Sequence, residues 1–288
     1  MELGKDTYTL GKIRPEMEEE LCRVLADFVR IMEGYRVDDY RAAASSAISE
    51  ASNSLYVLGK IHQLTGLSVT VLSNSEQRFL SYKALAAMED NFNKIIEKGT
   101  AILDLDGGSF QISLFDKDAL VTTQNIRMGS LRIRERLAGI QSETEHYEEM
   151  VEELIWNEVS SFKKMYLKDR KIENIMLIGD VFTDSVYQNI EEKTTKIISR
   201  ENLNTWYEKI IRQSPMELAV KLGIPLENAS LMYPSAVIYK CLIDMMGAEH
   251  IWIPGVHMTR GIAYEYAEQM KLLKGGHNFE NDILMAAK

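Results

Sequence analysis

Residues 101–122, AILDLDGGSFQISLFDKDALVT, constrain the fold of this chain more than any other stretch. Two apolar runs that alternate like strands are parted by Asp104, Asp106, Gly107, Gly108 and Ser109, so the chain turns sharply where its backbone amides are least hindered. Asp-Gly between alternating runs is a strong short-hairpin signal, and a hairpin without ligand accounts for these residues. A glycine-rich turn also offers backbone N–H groups to an anion, which would make it a phosphate cradle. Taken alone, the stretch leaves both readings open.

Around it, helical and strand-like segments alternate. Pro15 followed by EMEEE is a helix start with acids in its first turn, and Leu21, Val24, Leu25, Phe28, Val29 and Met32 form the stripe expected to be buried. A short run about DYRAAASSA, a helix through NSLYVLGKIHQLTG closed by Gly66, and the β-branched run LSVTVLS come next. A long helix is predicted in SEQRFLSYKALAAMEDNFNKIIEK, ending at Gly99. Beyond residue 122 follow a long amphipathic helix near 143–168, the strand IENIMLIG, helices across 205–247, the strand HIWIPG, and helices after Thr259 and Asn278. This alternation predicts an α/β fold. The opening MELGKDTYTLGK reads as polar and turn-like, without a first strand, and a composition break near Lys98–Gly99 marks the candidate domain boundary.

With 288 residues the chain exceeds the usual size of one compact core, so two domains or one large α/β domain are expected. Its formal charge of −10 argues against a general nucleic-acid surface and still permits a local anion site. No apolar run approaches the ~20 residues of a membrane span, and the start has no apolar signal core, which together predict a cytoplasmic protein. Cys22 and Cys241 lie in apolar helical patterns and are expected to be reduced, buried thiols, and the five histidines show no metal-ligand spacing.

Five segments taken in order resemble one family. AAASSAISEASN (42–53), VLSNSEQRFLSY (71–82), LDLDGGSFQISLF (103–115), NIRMGSLRIRERL (125–137) and IWIPGVHMTRGIAYEYA (251–267) are similar to the exopolyphosphatase and guanosine pentaphosphate phosphohydrolase family, within the actin, sugar-kinase and Hsp70 superfamily. The resemblance implies two ribonuclease H-like (actin-like ATPase) domains flanking a cleft, the first incomplete: 1–98 and 99–273, with 274–288 the start of a connecting helix. Nothing in residues 1–40 resembles the family's opening strand and first phosphate turn. Residues after His277 resemble the start of the helical region that leads to an HD-type domain in longer relatives. The expectation is therefore either a fragment cut at both ends or a shortened homologue.

The resemblance also implies roles. Glu76 falls at the place of the family's base or water-orienting glutamate, whereas by itself it reads as a helix-start acid favoured by the dipole. Asp104 would reach a hydrated Mg²⁺, and Gly107, Gly108 and Ser109 would cradle phosphate. Arg132 matches the segment after that loop and is the candidate phosphate guide within the cluster Arg127, Arg132, Arg134 and Arg136, a run that otherwise reads as a solvated helix face. There are departures: Asp106 stands for a family glycine, Phe110 for a hydroxyl residue, Gln111 for an acid and Ser49 for an arginine, and LIGDVFTDS keeps only Gly179 of a glycine cluster. The implied activity is Mg²⁺-dependent release of terminal phosphate from inorganic polyphosphate or guanosine pentaphosphate. The alternative is a catalytically impaired relative that binds polyphosphate or nucleotide, or acts as a scaffold. A sugar-kinase-like phosphotransferase is disfavoured by the poor adenosine-site signal. No membrane or nucleic-acid partner is expected, and a homodimer is left open.

Overall fold

The computed structural model describes residues 1–88, 92–138, 146–168, 170–179, 181–188 and 196–270. The chain divides into two compact units, Met1–Gln77 and Arg78–Lys288, and each is described on its own.

The first unit holds α1 (Leu3–Leu10), α2 (Pro15–Gly34), β1 (Ala42–Ala44), α3 (Ser46–Ser49), α4 (Ser54–Thr65) and β2 (Val69–Val71), with β1 and β2 pairing in parallel. Its core gathers Ile13, Leu21, Cys22, Ala44, Ile48, Val57 and Ile61. The opening residues are helical rather than turn-like. The cause is that Asp6 and Thr7 face inward: Thr7 Oγ1 donates to the Ala47 carbonyl (2.6 Å), and Asp6 receives the backbone amide and Nε of Arg14 (3.0 Å each). Gly11, at φ 71, ends α1 in the left-handed conformation that favours glycine. The stripe expected on α2 is also narrower than drawn. Leu21 is buried and Leu25, Val29 and Met32 are partly buried against the core, but Val24 and Phe28 are exposed, because the apolar arc of α2 is wider than the face α4 covers. Glu18, expected as a helix-start acid, is buried and held by Lys60 Nζ (3.2 Å) and Asn53 Nδ2 (3.0 Å).

A helix α5 (Asn74–Met88) leads into the second unit, followed by α6 (Phe92–Ile96); residues 89–91 of the predicted long helix lie outside the described residues. The 101–122 pair is part of a three-stranded meander: β3 (Thr100–Leu105), β4 (Phe110–Asp116) and β5 (Ala119–Ile126). Its second turn is made by Lys117 and Asp118, both at positive φ (53 and 62), as a tight hairpin with matching twist requires. Then come α7 (Ser130–Leu137), α8 (Tyr147–Phe162) running into a π-helical turn (Lys163–Leu167), β6 (Asn174–Ile178), α9 (Val181–Gln188), β7 (Ile197–Ile198), α10 (Arg200–Ile211), α11 (Pro215–Leu222), α12 (Leu226–Met246), β8 (His250–Trp252) and α13 (Met258–Gln269). The sheet order is β5-β4-β3-β6-β8-β7, with β3, β6 and β8 mutually parallel and β7 antiparallel to β8.

Strand alternation sorts the two faces. Leu103, Leu105, Ile112 and Leu114 join Val151, Ile155, Val237 and Tyr239 of α8 and α12 in the larger core. Ile102, Phe115, Met176 and Ile178 face the other way and join Tyr82, Leu85, Phe92 and Ile96 of α5 and α6. Because β3, β6 and β8 run the same way, their carboxyl ends emerge on one edge, where β3 turns into β4 and the loops leaving β6 and β8 lead to α9 and α13. No described helix is long and apolar enough to cross a membrane. The helix predicted after Asn278 and the connecting segment 274–288 lie outside the described residues.

Candidate functional site

The turn between β3 and β4 is built against the start of α7. The Asp106 amide closes it on the Ser109 carbonyl (2.9 Å). Three successive carbonyls of the turn then accept from the α7 region: Asp106 from the Ser130 amide (3.2 Å), Gly107 from the Arg132 amide (2.9 Å) and Gly108 from Arg132 Nε (2.9 Å). In a trans peptide the carbonyl and the following N–H point in opposite directions, so the amides of Gly107, Gly108 and Ser109 point opposite to the carbonyls engaged by Ser130 and Arg132. None of these three amides donates a hydrogen bond among the described residues. Adjacent unpaired amides of this kind form an anion-binding concavity, and neither turn glycine needs a positive φ to make it. What glycine supplies at 107 is room, since a Cβ there would lie 3.2 Å from Leu131 Cβ.

Two further glycines seat the turn. A Cβ on Gly129, the residue that caps α7, would fall 2.3 Å from the Asp106 carbonyl oxygen and 2.4 Å from Ser109 N, so the turn and helix approach backbone to backbone. Gly179, at φ 108 after β6, brings its backbone so close to β3 that a Cβ would meet Asp104 Oδ1 at 2.5 Å. The other oxygen, Oδ2, accepts from Ser81 Oγ of α5 at 2.8 Å, and Ser81 is buried. The Asp104 carboxylate thus lies between the Ser81 hydroxyl and the Gly179 backbone at the carboxyl end of β3.

The resemblance calls for Mg²⁺ at Asp104, and the donor set can be checked against that. Among the described residues no three His, Cys, Asp or Glu side chains group into a cage. A single positioned carboxylate beside free amides suits a cation that keeps most of its waters and shares phosphate oxygens with its ligand. Gln111, directly across the ladder from Asp104, adds a buried Oε1 that has no hydrogen-bond partner among the described residues. These residues fit a hydrated Mg²⁺.

The remaining predicted residues are placed differently. Arg132 spends its Nε on the Gly108 carbonyl and so braces the turn. Its neighbours are dispersed: Arg134 pairs with Glu135 and Ser230, and Arg136 approaches the Met128 sulfur (3.9 Å). In the first unit, Glu76 accepts both the backbone amide and Oγ–H of Ser73 (2.7 Å each) and returns its own amide to Ser73 Oγ (3.2 Å), a capping box at the start of α5. Those bonds hold its carboxyl below the usual range, which keeps it ionised.

Asp106 is open to solvent at its own surface, yet the surrounding protein strips enough water from its carboxyl to push it up to about 6, with His257 pulling it the other way. His257, at the start of α13, is itself a residue that spacing rules missed. Its Nε2 lies 2.8 Å from Asp184 Oδ1 in the first turn of α9, and the bond to Asp184 raises the imidazole, burial opposing. Asp184, His257 and Ser81 carry no motif spacing. The signal available for the first two was position: each follows a strand that parallels β3, at the edge where open α/β sheets bind ligands.

A meander of antiparallel strands continued by parallel ones, with its free amides at the carboxyl edge, is the ribonuclease H-like architecture of actin-like proteins. The sequence pattern of the Ppx/GppA phosphatase family matches residues 1–270, and the chain belongs to that family. An exopolyphosphatase from Cytophaga hutchinsonii superposes with a TM-score of 0.80 at 16% identity, over 96% of this chain and 88% of that one. The Ppx/GppA family member of Aquifex aeolicus gives 0.70 at 16% identity, over 93% and 87%. In sequence, the chain is 20% identical to a bifunctional 3-dehydroquinate synthase/phosphatase of Fusobacterium nucleatum over 87% of its own length, and 29% identical to exopolyphosphatase 1 of Mycobacterium leprae over 37%. It spans 38% and 30% of the lengths of those two relatives.

Proposed function

We propose that the protein is a Mg²⁺-dependent phosphohydrolase that releases terminal phosphate from inorganic polyphosphate or guanosine pentaphosphate. The observation that carries this reading is the set of three unpaired amides, Gly107, Gly108 and Ser109, beside a carboxylate fixed by Ser81. The amides bind and orient phosphoryl oxygens, while α7 and Arg132 hold the turn from behind. Asp104 would hold the metal through its waters, and the bound cation would neutralise charge on the transferred phosphoryl group. Glu76, kept ionised by Ser73, is the residue assigned to accept a proton from the attacking water. Family membership and the exopolyphosphatase name of two relatives support the substrate class.

One observation favours a second reading, in which the protein binds polyphosphate or nucleotide without turnover. The Glu76 carboxylate is already engaged in a helix cap, which is a sufficient structural reason for its presence. Phosphate release from polyphosphate with Mg²⁺, and with the metal chelated, separates the two. The phosphohydrolase reading expects metal-dependent release that Glu76→Gln lowers by ~10²–10⁴ with the fold intact, the usual cost of losing a general base. Tight polyphosphate binding without release, or release untouched in the folded variant, moves the assignment to the binding protein or to another base.

A further inference from the structure

We propose that His257, held through Nε2 by Asp184, is a further ligand-binding residue of the second-unit site, donating its Nδ1–H to a phosphoryl oxygen of the anion seated on the 106–109 turn. The inference rests on the phosphate reading of that turn.

The pair joins two strand-to-helix junctions. Asp184 lies in the first turn of α9, just after β6, and His257 starts α13, just after β8, with 2.8 Å between Nε2 and Oδ1. A carboxylate on one imidazole nitrogen fixes the ring's orientation and favours a proton on both nitrogens. Asp184 thus accounts for Nε2, while Nδ1 has no partner among the described residues and the ring is 38% exposed. The charged groups within electrostatic reach of it are Asp184 on α9, Asp104 on β3, Asp106 in the turn, and Arg260 one turn along α13.

The charge balance of the site supplies the reason for such a residue. The turn's amides are neutral, Asp104 and Asp106 are acidic, and the Nε of Arg132 is committed to the turn's own backbone. A cation on the protein helps a metal hold an anion with several negative charges, and His257, whose protonated form the Asp184 carboxylate favours, is within electrostatic reach of Asp104 and Asp106. A purely structural latch between α9 and α13 would need Nε2 alone and would leave the ring indifferent to ligand.

The test uses the full chain, tripolyphosphate as probe and Mg²⁺ throughout. In the wild type, the imidazole nitrogen signals of His257, assigned by their loss in His257→Gln, are expected to shift saturably with tripolyphosphate. Calorimetry is expected to give ~10-fold weaker binding for His257→Gln, as for loss of a charge-assisted hydrogen bond, with little change in Tm. Asp184→Asn is expected to weaken binding less, by loosening the ring. If the His257 signals stay still while the wild type binds, and Asp104→Asn abolishes that binding, the phosphate reading stands and this inference is overturned. Absence of any tripolyphosphate binding by the wild type overturns both, and the Asp104→Asn arm keeps the two failures apart.

Discussion

Asp106 places an acid in a turn that offers its amides to an anion, and its surroundings moderate the conflict. With its carboxyl pushed up to about 6, it is half-protonated at that pH, mostly neutral a unit below and mostly charged a unit above. Asp106→Asn is therefore expected to strengthen metal-free phosphate binding several-fold at pH 8 and hardly at all at pH 5. The gain should shrink with Mg²⁺ present, because the cation screens the same charge. Equal gains at both pH values, read by calorimetry, would mean that Asp106 points away from the ligand. Asp6 poses the opposite case. Burial raises its carboxyl, but Arg14 and the backbone amide more than offset this and hold it below the usual range. A depressed folded value stabilises the first unit above the unfolded carboxylate range, and this stabilisation drains away as pH falls through the folded value. Asp6→Asn is expected to cost about 1–3 kcal/mol in urea unfolding at pH 7, as for hydrogen bonds to a charged group, with the difference closing in acid. At this scale the sequence was only partly legible. The turn that carries Asp104, Gly107, Gly108 and Ser109 was legible as a hairpin, whereas the bond from Arg132 Nε to the Gly108 carbonyl was not, because sequence spacing does not reveal which acceptor a guanidinium next to the turn finds.

The elements meet through glycines where backbone must touch backbone. Gly179→Ala places a Cβ 2.5 Å from Asp104 Oδ1 at φ 108, and Gly129→Ala places one 2.3 Å from the Asp106 carbonyl oxygen. Both are expected to lower phosphate and Mg²⁺ affinity by at least ~10-fold through a displaced carboxylate or turn, with a fall in Tm. Gly59, in α4, has nothing within 4 Å of its Cβ position, and Gly59→Ala is expected to leave binding alone and raise stability by up to ~1 kcal/mol. Binding that survives Gly179→Ala would show that the Asp104 carboxylate is dispensable. The strands β3, β4, β6 and β8 were readable from apolar runs bounded by turn residues. The helix at residues 3–10 was not, since its inward face is polar, built on Asp6 and Thr7.

On the scale of the whole molecule, alternation of helix and strand predicted the α/β class, and the ordered series of five segments pointed to the family that the match over residues 1–270 establishes. Pattern alone did not reveal the partner of Asp104, because Ser81 stands on a helix 23 residues away and only the packing of α5 on the sheet brings it in. Nor did it mark the edge shared by β6 and β8, where parallel strands far apart in sequence deliver Asp184 and His257 to one place. The Asp104–Ser109 turn is proposed to bind a phosphate together with Mg²⁺, and calorimetry with tripolyphosphate is the decisive measurement. Binding is expected to strengthen on adding Mg²⁺ and to weaken by at least ~10-fold in Asp104→Asn while Tm holds. Binding of equal strength with and without Mg²⁺, unchanged in folded Asp104→Asn, would contradict it.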